Sequence, residues 1–380
     1  MRNKKTALIG KTFDELEELV IGTGEPPYRA RQLMKWIYRT TAGSFREMSD
    51  LPATFRAKLE EDYTLHCLIP EQEVRGRDGT LKILFSLADK LTIEAALMYY
   101  SEGEGRGRQT ICVSTQAGCT IGCPFCATGR QGFQRNLSAG EIVEQVLYFT
   151  RRLCEEEKGN RDIRARRPTN VVFMGMGEPL ANYSALRQAI GLLNSPEGYG
   201  LGARNMVIST AGLVPQIERL SRENLQVGLA VSLHASENRL RDRLVPINRK
   251  YPLEQLIPAC REYFLETGRR PSFEYTLFEG INDTASQARS LAALLRGLNC
   301  HVNLIAANDN GDRTYRPPSR ETILDFEREL KEAGINTTLR QSRGRDINAG
   351  CGQLRSRREK LLASDRENNG NNRETGTDVR

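Results

Sequence analysis

The chain has no long apolar run. Nowhere in its 380 residues do roughly 20 consecutive apolar side chains occur, the length a membrane-spanning helix needs. The opening Met1-Arg-Asn-Lys-Lys-Thr-Ala-Leu-Ile-Gly10 is basic but carries no signal-peptide core. A cytoplasmic protein without a membrane partner is expected. Histidine is scarce, with three in all, and none lies close in sequence to the densest cysteine group. A second C-x2-C pair, the usual mark of a zinc knot, is also missing. Nine cysteines in a reducing compartment read as ligands, catalysts or buried thiols rather than structural disulfides. The excess of positive charge is small: 55 basic against 48 acidic residues, a net +7. It permits a polyanionic partner without requiring one. Arginines crowd at 29–39, 161–167, 239–249 and 340–358. Taken alone, each cluster reads as a solvated face.

The densest cysteine group is Cys119-Thr-Ile-Gly-Cys123-Pro-Phe-Cys126. Thiolates are soft ligands that suit an iron–sulfur cluster. A cubane has four iron corners, so three cysteines leave one open, and an open metal position implies binding of substrate or cofactor. A zinc site or three unrelated buried thiols is the plainer alternative.

Three units are expected: a helical module with a linking strand at 1–90, a core at 91–354, and a basic, then disordered, tail at 355–380. In the first, Thr12-Phe-Asp-Glu15 is a capping box that starts a helix with Phe13, Leu16 and Val20 on one face. A second helix over Arg29–Arg39 buries Leu33, Trp36 and Ile37, and a third covers Pro52–Glu61. Strand-like runs follow at Leu81–Leu87 and Leu91–Tyr100, then a Gly- and charge-rich turn. From Thr110, apolar strands near 110–115, 170–174, 205–209, 227–233, 272–277 and 301–305 alternate with helical stretches, and a last strand covers 336–340. Helix starts stand out at Ser138-Ala-Gly-Glu141 and Ser319. Residues 155–168 read as an exposed charged loop. Such alternation implies a parallel α/β sheet, as an open barrel or a doubly wound sheet; pattern does not choose between them.

Polar residues cluster just after the predicted strands, where barrel enzymes gather their active groups. Gly177 and Glu178 follow the strand ending at Met174, Ser209 ends the next, and Ser232, Leu233 and His234 end the one after. Asn308 follows Val302–Ala307. Together they can ring one small polar cofactor. Cys112 lies on the strand leading into the cysteine loop, and Cys351 sits between glycines after the final strand. Cys67, Cys154, Cys260 and Cys300 read as filler.

Several motifs together resemble the RlmN/Cfr family of radical S-adenosyl-L-methionine (SAM) RNA methyltransferases, nearer its RlmN branch. They are Cys112-Val-Ser-Thr-Gln-x-Gly-Cys119 with Cys123 and Cys126, Gly175-Met-Gly-Glu-Pro-Leu180, Ser232-Leu-His-Ala235, Pro246-Ile-Asn248 and Asp346-Ile-x-Ala-x-Cys-Gly-Gln-Leu354. The resemblance runs from Phe13 to Gln353 and includes Arg31-Gln-Leu-x-x-Trp36-Ile-Tyr38. It implies a partial (βα)6 barrel behind an N-terminal helical, RNA-contacting domain. It implies a 4Fe-4S cluster on Cys119, Cys123 and Cys126, and SAM held by Gly177, Glu178, Ser209, Ser232, Leu233, His234 and Asn308. It also implies methylation of adenine carbon 2 in 23S rRNA, and in tRNA, with two SAM molecules and a methylated Cys351. Cys112 then resolves the adduct through a transient disulfide, and Glu94 takes the C2 proton. An electron donor such as a flavodoxin or ferredoxin and a monomeric enzyme complete the expectation. The alternatives are Cfr-like methylation at carbon 8 and an RNA-binding protein whose cluster is structural.

Overall fold

The computed structural model describes residues 5–100, 107–156, 167–308 and 314–340. Cys351, the tail, most of the 155–168 loop and residues 101–106 of the 101–109 turn lie outside the described residues. Ten strands build the main sheet: β1 (Leu68–Arg75), β2 (Leu81–Leu87), β3 (Thr92–Tyr99), β4 (Gln109–Cys112), β5 (Asn170–Phe173), β6 (Met206–Thr210), β7 (Gly228–Ser232), β8 (Ser272–Leu277), β9 (His301–Ala306) and β10 (Thr337–Arg340). Every strand lies beside its neighbours in sequence. β4 to β10 run parallel, and β1 to β3 add an antiparallel flank.

This order decides between the two parallel architectures. A doubly wound sheet reverses its strand order at a switch point, and this sheet does not. Residues of β4, β5, β6, β8, β9 and β10 line a single cavity, so the sheet is rolled into an open barrel. Helices connect its strands: α4 (Ala139–Glu156), α5 (Tyr183–Asn194), α6 (Val214–Arg222), α7 (Asn238–Leu244), α8 (Leu253–Thr267), α9 (Ala285–Leu294) and α10 (Arg320–Glu332). Before them, α1 (Phe13–Gly22), α2 (Arg29–Met34, continued by a π-helical turn Lys35–Arg39) and α3 (Ala53–Asp62) form the N-terminal module.

The capping signals work as read. The Thr12 hydroxyl accepts from the Glu15 amide, and the Glu15 carboxylate accepts from the Thr12 amide. Ser138 and Glu141 make the same reciprocal pair at the start of α4, which buries Ile142, Val146 and Phe149 completely. The Ser319 hydroxyl caps α10 through the Thr322 amide. Trp36 is only half-buried; its indole N–H donates to the Asp50 carboxylate at the surface.

Strand β1 has no counterpart among the expected elements. Nearly all its residues are exposed, so it lacks the apolar alternation that marks a half-buried strand. It lies at the sheet edge, where Pro70 and an adjacent register shift are tolerated.

The N-terminal module meets the barrel along α4. A Cβ on Gly140 would stand 2.3 Å from the Ile9 carbonyl oxygen, so only glycine allows this approach. One turn further along α4, the buried Glu144 carboxylate accepts from His66 Nδ1, from the Cys67 amide and thiol, and from the Leu68 amide. Cys67 is therefore part of this joint rather than filler.

Candidate active site

The cysteine loop leaves the barrel after β4. Its base is a short hairpin, Gln116–Gly118 paired with Phe133–Asn136. The Cys119 amide donates to the Gly132 carbonyl, and the Cys126 amide to that of Cys123. Phe125 anchors the loop's far side, packing against His234 and Phe278 with ring centroids 5.1 Å away in each case.

The three thiols line one pocket of about 180 Å³ together with Gly177, Glu178, Ser209, Ser232 and His234. Burial pushes the Cys119 thiol up to about 12, reinforced by Cys126 and Glu178. Burial, then Cys126 and Cys119, push Cys123 well above the ordinary range. Three thiolates this close repel one another unless a cationic centre neutralises them, so the donor set fits a cluster. Among the described residues no three His, Cys, Asp or Glu side chains converge as a mononuclear metal site requires. A cubane needs no such convergence, because each thiolate takes a different iron.

The opposite wall comes from strand ends. Gly177 has φ +103°, and a Cβ there would stand 2.5 Å from Gln116 Cβ; this brings the turn flush against the segment after β4. Glu178 is buried, and its carboxylate accepts from the Leu180 amide at 3.0 Å and the Ala211 amide at 2.7 Å. It thereby ties the ends of β5 and β6 together. Burial raises its pKa to about 7 against these hydrogen bonds. His234 is left-handed, with φ +58°. Its Nδ1 accepts from the Thr276 amide, and burial first, then Arg241, lower its pKa to about 3. The ring is therefore neutral and protonated on Nε2.

Two expected contacts sit off this wall. The Leu233 side chain is fully buried; its backbone amide donates to the Glu274 carbonyl. Asn308 is exposed just past β9. Arg241, by contrast, belongs to the 239–249 cluster yet is wholly buried rather than solvated. Its guanidinium donates to the carbonyls of Leu233, Ala211 and Ser232 and to Asn248 Oδ1. It braces the wall from behind. The sequence hint was its place in Asn238-Arg-Leu-Arg-Asp-Arg-Leu244, where Leu240 and Leu244 flank it on one helical face.

Deeper in the barrel, Cys112 points inward from β4. Its sulfur accepts from the Met174 amide, and burial pushes the thiol up to about 11 while Arg340 and Lys82 oppose the rise. Glu94, on β3, is buried and ion-paired to Lys82 Nζ at 2.6 Å. Lys82 was also unanticipated, although a cation inside Leu81-Lys-Ile-Leu-Phe85 is the visible signal. Met174 lines both the thiol pocket and a second, larger cavity bounded by Arg340, Glu274 and Asn303.

Comparison with known proteins fits this geometry. Residues 6–65 match the ribosomal RNA large subunit methyltransferase N-terminal domain, and residues 113–287 match the radical SAM superfamily. A probable dual-specificity RNA methyltransferase RlmN from Moorella thermoacetica is 46% identical over 93% of this chain and 98% of the relative. One from Heliobacterium modesticaldum is 45% identical over 92% and 89%. The crystal structure of a radical SAM methyltransferase from Sphaerobacter thermophilus superposes with a TM-score of 0.86 at 49% identity, covering 92% of this chain and 98% of that one. The chain belongs to the RlmN family of radical SAM RNA methyltransferases.

Proposed function

We propose that this enzyme methylates carbon 2 of an adenine in 23S rRNA, and in tRNA, through a methylated Cys351. The observation that carries the reading is the adjacency of two sites. Three thiols, Glu178, Ser209, Ser232 and His234 surround one pocket, and Cys112 lies directly across Met174 from it.

A 4Fe-4S cluster and SAM are the family's cofactors; when bound they supply a methyl group and a carbon radical, which an adenine C2–H, neither acidic nor nucleophilic, requires. Cys119, Cys123 and Cys126 hold the cluster. Gly177, Glu178, Ser209, Ser232 and His234 line the space for SAM, and Leu233 and Asn308 complete the proposed set. Glu178 can offer an ammonium group the acceptor site that its two backbone hydrogen bonds and the Thr210 hydroxyl leave open. Neutral His234 offers an Nε2–H donor without adding charge against a sulfonium.

Cys351 carries the methyl group to the base. The Cys112 thiolate attacks the Cys351 sulfur of the base–CH2–S link: the S–S bond forms as the S–C bond breaks, and the released carbon takes a proton to become the methyl group of the freed adenine. Glu94 receives the C2 proton, and Lys82 fixes the position of that carboxylate. The helical part at 1–90 contacts RNA, 91–354 performs the chemistry, and 355–380 is a tail. A flavodoxin or ferredoxin supplies electrons to a monomeric enzyme.

Mass mapping of RNA treated with reconstituted enzyme tests the position: 2-methyladenosine is expected, and 8-methyladenosine would overturn it. Cys351→Ala is expected to abolish methylation with the cluster's visible absorbance intact. Cys112→Ala is expected to accumulate a covalent protein–RNA adduct; clean turnover by that variant would remove Cys112 from the scheme.

A further inference from the structure

The second cavity has a volume of about 470 Å³, within the roughly 300–1,000 Å³ usual for small-molecule sites. Its wall holds a carboxylate with one oxygen that accepts no hydrogen bond. Glu274 is 5% exposed. Its Oε1 accepts from Asn303 Nδ2 at 2.8 Å. Its Oε2 is buried and accepts no hydrogen bond; it is held only by an ion pair to Arg340 Nη1 at 3.6 Å, longer than a hydrogen bond. A buried acceptor left in this state costs free energy that a ligand donor recovers. Arg340 is in turn close enough to Cys112 to oppose the rise of its thiol pKa. Cys112 pairs in register with the cavity-lining Val172, so it stands on the same face of the sheet, on Arg340's side of the cavity.

Enzymes that modify a base extrude it and read its Watson–Crick edge with hydrogen bonds. On adenine that edge presents, in order, a 6-amino donor, the N1 acceptor and the C2–H. We infer that this cavity receives the extruded adenine edge-first: Glu274 Oε2 accepts from the 6-amino group, Arg340 donates to N1, and C2 is left facing Cys112. Guanine reverses the first two positions, with a carbonyl at 6 and an N–H at 1, and meets the carboxylate and the guanidinium with the wrong polarity. Carbon 8 lies on the opposite edge, so the same contacts select carbon 2. The wall also includes Tyr100, whose ring carries the Arg108 guanidinium at 4.4 Å, an aromatic surface of the kind on which bases stack.

The inference rests on the adenine-methylating reading above, and the test separates the two. Reconstituted wild type and Glu274→Gln are assayed on the RNA that accepts methyl, carrying at the acceptor position adenosine, purine riboside (no 6-amino group) or inosine. Wild type is expected to lose roughly 10- to 100-fold in kcat/KM on purine riboside, and more on inosine. Glu274→Gln is expected to lose a similar factor on adenosine but little more on purine riboside, because residue and amino group belong to one contact. Equal loss on purine riboside in both enzymes would overturn the assignment, as would equal wild-type rates on adenosine and purine riboside. The wild-type arm stands even if the variant does not fold. Failure of wild type to methylate any adenine would instead sink the functional reading itself, and the inference with it.

Discussion

His234 shows how one residue's environment sets both its chemistry and its pH response. Its backbone is left-handed, a conformation uncommon outside Gly, Asn, Asp and His, and its Nδ1 is committed to the Thr276 amide. Burial holds its pKa near 3, below the unfolded value of 6.5. The unfolded chain therefore takes up this proton first as pH falls. The associated stability is present above about pH 6.5 and is lost progressively toward pH 3, on the order of 5 kcal/mol in full. Asparagine tolerates the same backbone and keeps an acceptor for Thr276. His234→Asn is therefore expected to show a shallower loss of thermal stability between pH 7 and pH 4 than wild type. Parallel curves, by circular dichroism, would show that His234 is not buried neutral.

At the scale of elements, helices α1, α4 and α10 start for a local reason, a side-chain cap written within four residues. The Ser138–Glu141 pair starts α4, and Glu141 also holds Arg135 at 2.8 Å beside the hairpin under the cysteine loop. Ser138→Ala is expected to cost about 1 kcal/mol in urea unfolding, since one first-turn amide loses its acceptor. These caps were legible in the sequence because the partners are three residues apart. The burial of Arg241 was not. Its carbonyl acceptors lie at two strand ends, 8 to 30 residues away, and nothing in an arginine-rich stretch separates a solvated side chain from one that braces two strand ends. Strand β1 escaped for the converse reason: an exposed edge strand obeys no alternation, and only its pairing to β2 defines it.

The whole molecule depends on how the N-terminal module seats on the barrel. Gly140 passes against Ile9, Gln188 Nε2 donates to the Gly10 carbonyl at 2.9 Å, and Glu144 gathers four donors from His66 to Leu68. Gly140→Ala is expected to weaken this docking by about 1–3 kcal/mol, the usual cost of overpacking. The readout is faster hydrogen exchange at residues 8–12 and 66–68 with cluster absorbance unchanged. Unaltered exchange there would mean that the two parts do not depend on this approach. Among the described residues no helix is long and apolar enough to cross a membrane.

The sequence by itself determined the alternation of strands and helices, the helix starts, and the three-thiol loop with its polar strand ends. Each of these is written in residues a few positions apart or in a periodicity that local sterics and solvent impose. Tertiary structure alone decided that the sheet is an open barrel, since strand order is a matter of which edges pair. It alone brought Lys82 to Glu94, Arg241 behind the wall of the thiol pocket, and Glu274 and Arg340 to one cavity. Those side chains meet across the barrel interior, where burial and charge act over distances in space that have no counterpart along the chain.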